Sequence, residues 1–178
     1  MKRYLSCYLA IIIVVFLTAC ASSPVPQDPV SQLKVVTLNN TVKIVTGQTV
    51  YIPIYSYIYG VDRNQKIDLA ATLSVRNTDL INPIIITLVN YYNTNGELVR
   101  KYLEQPVELR ALATIDFVVN RDDTSGGAGA NFIVEWVAQK EVSEPAIEAV
   151  MINTVGNQAL SWVSNGRVIK SRGVQKNR

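Results

Sequence analysis

Short runs in which apolar and polar residues alternate recur along most of the chain, and they constrain its fold more than any other feature. In one such run, Leu69, Ala71, Leu73 and Val75 alternate with smaller or polar residues. Because successive side chains of a β-strand point to opposite faces, this pattern predicts a half-buried antiparallel strand. Beyond the amino-terminal apolar run, the sequence shows no helical period of comparable length. An all-β domain is therefore expected.

Roughly nine or ten short strands are expected, separated by turn residues about every 8 to 12 positions. Three hairpins are predicted. The first joins residues 33–38 to 41–45 across Asn39 and Asn40, and the second joins 84–92 to 98–103 across 93–96. The third joins 160–163 to 167–169 across Ser164, Asn165 and Gly166. The run 84–92 is apolar on both faces and predicts a central strand. This rhythm favours an antiparallel two-sheet β-sandwich, immunoglobulin-like in the broad sense, with a small β-barrel as the alternative.

A row of tyrosines is the first candidate binding feature. If residues 50–59 form one strand, three isoleucines fall on one face and Tyr51, Tyr55, Tyr57 and Tyr59 on the other. Tyrosine favours recognition surfaces, yet aromatic ladders also stabilise ordinary sheets. Pro53 cannot donate to a strand ladder, so it predicts an edge position or a bulge.

The Gly-rich segment 122–130 is the second candidate feature. Its predicted contact residues are Asp122, Asp123, Ser125, Gly126 and Gly127. Repeated glycine exposes amides that can hold an anion, but the lysine and the following helix of a phosphate loop are missing. An irregular Ca²⁺ site built on Asp122, Asp123 and Ser125 is a weaker alternative, and a simple connecting loop is the plainest interpretation.

Paired carboxylates are the third candidate, because two acids about 5 to 10 Å apart can hydrolyse a glycosidic bond. The candidate carboxylate pairs in the sequence are Glu104 with Glu108 and Asp116 with Glu135. Carboxylates on strands usually face solvent, so a carboxylate-based hydrolase acting on a cell-envelope polymer is a minor alternative.

Composition excludes several classes of protein. The chain has no histidine, which removes the commonest general base and metal ligand, so no catalytic residue and no cofactor are predicted. Without Lys2 and Arg3, 15 basic residues face 14 acidic ones, a balance that argues against nucleic-acid binding.

The amino terminus has the pattern of an export signal. Lys2 and Arg3 precede an apolar run at residues 10–17, which is shorter than the roughly 20 residues of a spanning helix. Leu17, Thr18, Ala19 and Cys20 follow, and this tetrapeptide resembles the lipobox of bacterial lipoproteins. The resemblance implies that residues 1–19 are a signal peptide and that Cys20 carries a covalent lipid. Cys7 would leave with the signal.

The segment after Cys20 is expected to be a tether. Residues 20–32 contain Pro24, Pro26 and Pro29, which hold a chain extended. No aspartate follows Cys20 directly. By resemblance to sorting signals in bacteria with two membranes, this favours the periplasmic side of the outer membrane.

The predicted β-sandwich domain covers residues 33–169, and residues 170–178 are predicted to be a basic, disordered tail. Such a tail could contact anionic lipid or cell-wall polymer, or it could simply be a frayed terminus.

Three sequence blocks resemble an uncharacterised bacterial family that is defined only as a domain of unknown function. The blocks are residues 51–56, 69–79 and 123–136, and the similarity extends over residues 50–169. The resemblance implies a shared secreted domain and no catalytic residue.

Together these observations predict a membrane-anchored envelope lipoprotein with a non-enzymatic binding or structural β-sandwich. Its expected partner is an envelope protein or polymer, bound at a strand edge, the tyrosine row or the Gly-rich segment. A Ca²⁺-dependent binding module and the hydrolase are the alternatives.

Overall fold

Thirteen β-strands make up most of the described chain. The computed structural model describes residues 29–39, 41–156 and 159–173. The strands are β1 (Lys34–Val35), β2 (Thr46–Pro53), β3 (Tyr57–Tyr59), β4 (Lys66–Asp68), β5 (Ala70–Arg76), β6 (Ile84–Tyr92), β7 (Leu98–Lys101), β8 (Val107–Leu109), β9 (Thr114–Val119), β10 (Asn131–Ala138), β11 (Ala146–Asn153), β12 (Leu160–Asn165) and β13 (Arg167–Arg172). Short 3-10 turns lie at Pro29–Gln32 and Gly127–Gly129. The predicted signal peptide, Cys20 and most of the predicted tether lie outside the described residues.

The strands form two main sheets and a small ribbon. The seven-stranded sheet has the order β1-β8-β6-β10-β2-β13, with β7 also paired to β6, and the four-stranded sheet has the order β12-β11-β5-β9. β3 and β4 pair with each other. Every described pairing is antiparallel, and the sheets do not close into a barrel. The predicted two-sheet sandwich is therefore confirmed.

The core lies between the two sheets because one face of the longer central strands is apolar. In β9, buried and exposed residues alternate strictly, so that Ile115, Phe117 and Val119 face inward and Asp116 faces outward. The facing sheet contributes Phe132 and Trp136 from β10, which are fully buried. These side chains belong to one continuous hydrophobic cluster, as expected for a single core.

The strand β6 is central, as predicted, and it pairs with β10, β8 and β7. Its register with β10 shifts by one residue, since Glu135 pairs with Leu88 whereas Trp136 pairs with Ile86. A β-bulge of this kind reverses which residues face the core. The shift explains why the run is apolar on both faces, and the pairing with β7 confirms the second predicted hairpin.

The other two predicted hairpins are wrong. β1 has only two residues and pairs with β8, while residues 41–45 form no strand. Val42 N nevertheless donates to Asn39 O at 3.1 Å. At the other end of the chain, β12 pairs with β11 and β13 pairs with β2, so the segment 160–172 crosses from one sheet to the other.

The crossing occurs at Gly166, where only a hydrogen atom fits. A Cβ atom there would lie 2.6 Å from Val50 Cγ1 and 2.7 Å from Ile147 O. Gly166 N also donates to Ile147 O at 2.8 Å. Strands that switch sheets need such a local bend, and the close approach of both sheets selects glycine.

The predicted strand 50–59 breaks after Pro53. β2 ends there, two residues beyond Tyr51, which is the last β2 residue paired with β13. The missing N–H of Pro53 therefore costs no bond on the β13 side. The chain then turns through Ser56 into β3, which belongs to the ribbon. Pro53 thus lies at the end of β2, at a position that β10 alone pairs, in agreement with the predicted edge position.

Both ends of the described chain differ from the predicted boundaries. Residues 29–32, predicted as part of the extended tether, form a 3-10 turn, and Val30 and Leu33 pack against the core. Residues 170–172, predicted to begin a disordered tail, complete β13, while residues 174–178 lie outside the described part. Among the residues that the structure describes, no helix has the length and hydropathy needed to span a membrane.

Replacing Gly166 by Ala should destabilise the fold, because its new methyl group would overlap Val50 and the Ile147 carbonyl. We expect a loss of about 1 to 3 kcal/mol in the free energy of unfolding, measured by urea denaturation. Gly60→Ala is the matched control, since its nearest neighbour is the flexible end of Gln65 at 3.3 Å. Equal stability of the two variants would contradict the tight crossing.

Candidate functional site

The Gly-rich segment 122–130 joins β9 to β10 at one end of the sandwich. There it packs against the turn after β6 through Thr94, whose backbone N and Oγ1 donate to Gly126 O at 2.9 and 3.0 Å. Ser56 N donates to Gly127 O at 3.0 Å, next to β3. The structure therefore brings the Gly-rich segment close to Tyr57 and Tyr59.

The amides of this segment are largely occupied by the protein itself. Ser125 N donates to Asp123 Oδ1, and Gly127 N donates to Thr124 O at 3.1 Å. Gly129 N donates to Thr94 Oγ1 at 2.9 Å. Because an anion cradle needs amides that point freely at the ligand, this geometry supports a connecting loop.

Gly126 allows the loop to lie directly on a buried tyrosine. A Cβ atom at this position would overlap the Tyr91 hydroxyl group. The Tyr91 hydroxyl is hydrogen-bonded to Ser56 Oγ at 2.6 Å, inside the protein. Burial raises the pKa of Tyr91. The loop, β3 and β6 are thus joined around one phenol group.

The Asp123 carboxylate forms an ion pair with Arg100. Arg100 Nη2 donates to Asp123 Oδ2 at 2.8 Å, and Ser125 donates to Asp123 Oδ1. Arg100 Nη1 also donates to the Tyr102 hydroxyl, and burial raises the pKa of Tyr102. A Ca²⁺ ion on Asp122 and Asp123 would have to displace this arginine. Within the described residues, no group of three His, Cys, Asp or Glu is arranged to hold a metal.

The four predicted tyrosines do not share one surface. Tyr51 lies on the outer face of the seven-stranded sheet, where its neighbours in register are Ile133 and Arg167. Tyr55 packs edge-on against Trp162, with ring centres 6.0 Å apart. Only Tyr57 and Tyr59 stay together.

Tyr57 and Tyr59 lie at the Gly-rich segment and form a small aromatic patch. Their ring centres are 5.6 Å apart, and Lys66 Nζ lies 4.3 Å above the Tyr57 ring. A hydrogen bond with Tyr57 raises the pKa of Tyr59. The two rings and the Lys66 cation already interact with one another, in keeping with a structural aromatic contact.

The predicted carboxylate pairs are not arranged as catalytic pairs. Asp116 and Glu135 point outward from different sheets, so the two-sheet layer, about 10 Å between sheets, separates them. Glu108 is paired with Lys34 at 3.2 Å, and Glu104 lies exposed in the turn before β8. Such positions are typical of solvated surface acids.

The open edge of the larger sheet is the strongest candidate for binding. β13 pairs with β2 along one side, no described strand pairs with its other side, and all six of its residues are exposed. Arg167, Lys170 and Arg172 pair in register with Tyr51, Thr49 and Gly47, so these cations share the outer face. Arg172 has a distant acidic partner, Glu135 at 3.9 Å. The edge is cationic and can accept another strand.

Sequence reasoning missed the residues that lock the Gly-rich segment in place, namely Ser56, Tyr91, Thr94, Arg100 and Tyr102. They come from distant parts of the chain, so no local pattern indicates them. Of the β13 cations, Arg167 falls in the predicted strand 167–169, whereas Lys170 and Arg172 fall in the predicted tail, which the structure shows to be part of β13.

Stability should fall at high pH because of the buried tyrosines. In the unfolded chain Tyr91 ionises near pH 10, whereas the folded protein keeps its proton to higher pH, so the free energy of unfolding decreases above about pH 10. Tyr91→Phe should lose about 1 kcal/mol at neutral pH by removing the bond to Ser56, and should show a shallower decrease above pH 10. Urea denaturation between pH 7 and 11 measures both. Parallel curves would contradict the raised pKa.

Comparison with known proteins identifies a family for this chain. Residues 47–169 match the family described as "Protein of unknown function (DUF3124)". No curated protein sequence matches the chain. The crystal structure of Thermotoga maritima 1070 is similar over 67% of this chain and 92% of that chain, with 10% identity and a TM-score of 0.40. At this identity and TM-score the likeness carries no inference about function.

Proposed function

The chain belongs to the DUF3124 family of proteins of unknown function, and we propose that it is a lipid-anchored protein of the bacterial cell envelope. Its β-sandwich binds an extended, acidic segment of another envelope protein along β13 and catalyses no reaction. The observation that carries this proposal is the open, exposed and cationic edge strand. Adding a strand at such an edge uses main-chain hydrogen bonds for affinity and side chains for specificity.

Charge favours an acidic partner. Arg167 and Lys170 project from the outer face of β13, and no ion pair within the described residues involves either of them. Val168 and Ile169 are 42% and 56% exposed and would be covered by an added strand. Electrostatic attraction of this kind raises the association rate and selects the partner.

The anchor rests on the amino-terminal sequence. Lys2 and Arg3, the apolar run and the lipobox-like Leu17, Thr18, Ala19 and Cys20 follow each other in the order of a lipoprotein signal. Two or three acyl chains on Cys20 would hold the protein stably, whereas one would hold it only marginally. An outer-membrane, periplasm-facing position is proposed for a bacterium with two membranes.

The types and positions of the candidate residues also favour binding over catalysis. The chain has no histidine, and the outward-facing Asp116 and Glu135 do not share a cleft. General acid–base catalysis needs such groups within hydrogen-bond reach of one substrate.

Replacing Cys20 by Ser should abolish lipid attachment. In cells grown with labelled palmitate, we expect the wild-type protein to be labelled and to sediment with membranes, and Cys20→Ser to lose both properties. Cys7→Ser is the matched control, because Cys7 lies in the predicted signal peptide. Persistent labelling of Cys20→Ser would overturn the proposed anchor.

A photo-crosslinking residue at position 169 tests binding at β13. In intact cells we expect an adduct of one defined mass, which is lost on charge reversal by Arg167→Glu and Lys170→Glu while the thermal midpoint stays unchanged. Position 61 is the control, since Val61 is 92% exposed in the turn of the β3–β4 ribbon. Equal adducts at both positions, or none, would show that the β13 cations only protect a sheet edge from aggregation.

A further inference from the structure

Three aliphatic side chains project from the end of the sandwich opposite the Gly-rich segment. Leu80, Ile81 and Leu112 are 76%, 82% and 65% exposed, and we refer to them as the apolar tip. The loop that carries Leu80 and Ile81 is hydrogen-bonded to the loop that carries Leu112, since Leu112 N donates to Asp79 O at 3.2 Å. Ile81 and Leu112 line one surface depression of about 400 Å³. Single exposed apolar residues are ordinary, but a cluster at loop tips marks an interaction surface.

Polar groups hold this end in a fixed shape. The Asp79 carboxylate accepts hydrogen bonds from Ile81 N at 2.9 Å, Asn82 N at 2.7 Å and Ser143 N at 3.0 Å. These backbone bonds lower the pKa of Asp79, so it is ionised at neutral pH.

Asn77 adds a second set of bonds below the tip. It is buried, and its side-chain amide donates to the carbonyl groups of Asn82, Leu109 and Arg110 at 2.9, 3.2 and 3.1 Å. The loops are thus ordered before any partner arrives, and little conformational entropy remains to be lost on docking.

The described chain enters the domain from this end. β1 runs antiparallel to β8, with Lys34 opposite Glu108, and β8 leads directly into the loop that carries Leu112. The chain therefore approaches β1 from the side of the apolar tip. Nine residue steps separate Cys20 from Pro29, a span of at most about 30 Å when fully extended.

We propose that the apolar tip inserts into the interfacial layer of the membrane that holds the acyl chains of Cys20, an inference that rests on the proposed lipid anchor. Burial of the three side chains among lipid is the driving force. Charge is not, because this end carries the two exposed acids Glu141 and Glu144 as well as the two exposed cations Arg110 and Lys140.

Insertion would fix the orientation of the domain. β10 begins at the Gly-rich segment and ends at the loop that contains Ser143, which bonds Asp79. The strands would therefore point away from the membrane, with the Gly-rich segment at the far end. β13 would lie along the side, free to accept a partner.

A single labelled cysteine tests this inference. After signal cleavage and lipidation the mature chain has no free thiol, so Ile81→Cys introduces the sole site for an environment-sensitive fluorophore. The full lipidated protein is reconstituted in phosphatidylcholine vesicles with and without a lipid-borne nitroxide quencher. Val61→Cys, at the opposite end and 92% exposed, is the matched control.

We expect blue-shifted emission and lipid-dependent quenching for the label at position 81, and neither for position 61, with thermal midpoints equal to wild type. Quenching at neither or both positions would overturn tip insertion. Blue-shifted emission at position 81 without quenching by the lipid-borne nitroxide would also overturn tip insertion, because it would place the tip against a second copy of this chain, the sole protein in the vesicles. Flotation of the vesicles reports the anchor separately, so protein that does not float refutes the anchor, and tip insertion with it.

Discussion

The packing of Gly166 between the two sheets is the constraint on which the rest of the arrangement depends. Its Cα approaches Val50 of one sheet and the Ile147 carbonyl of the other so closely that no side chain fits. Because the chain switches sheets at this point, β12 completes the smaller sheet and β13 becomes the edge of the larger one. The same glycine that closes one side of the core therefore creates the open, cationic edge to which we assign binding.

The two ends of the sandwich differ in how their polar groups are used. At the Gly-rich end, Thr94, Ser56 and Arg100 satisfy the loop, so its polar groups are directed inward. At the other end, Asp79 and Asn77 also satisfy backbone groups, but the result is to hold apolar side chains outward. If the apolar tip enters the lipid surface, as we propose, this difference would give the lipid-tethered domain a fixed orientation.

Alternating patterns predicted the fold because burial acts on every second residue of a strand, as in β5, β9 and β10. The errors arose where distant packing overrides a local signal. Asn165 and Gly166 have the sequence of a hairpin turn, yet Gly166 is needed for a close approach between sheets. Partners of the Gly-rich segment are equally non-local. The exposed tip was not predicted either, although Leu80 and Ile81 are two aliphatic residues between turn-forming neighbours.

The central claim is that Cys20 is the first residue of a lipidated mature protein. Mass spectrometry of the amino-terminal peptide, after the protein is purified from bacterial membranes and digested, tests this claim most directly. We expect a peptide that begins at Cys20 and carries diacylglycerol on the thiol. An amino-terminal peptide that begins at another residue, or one with an unmodified Cys20, would contradict it.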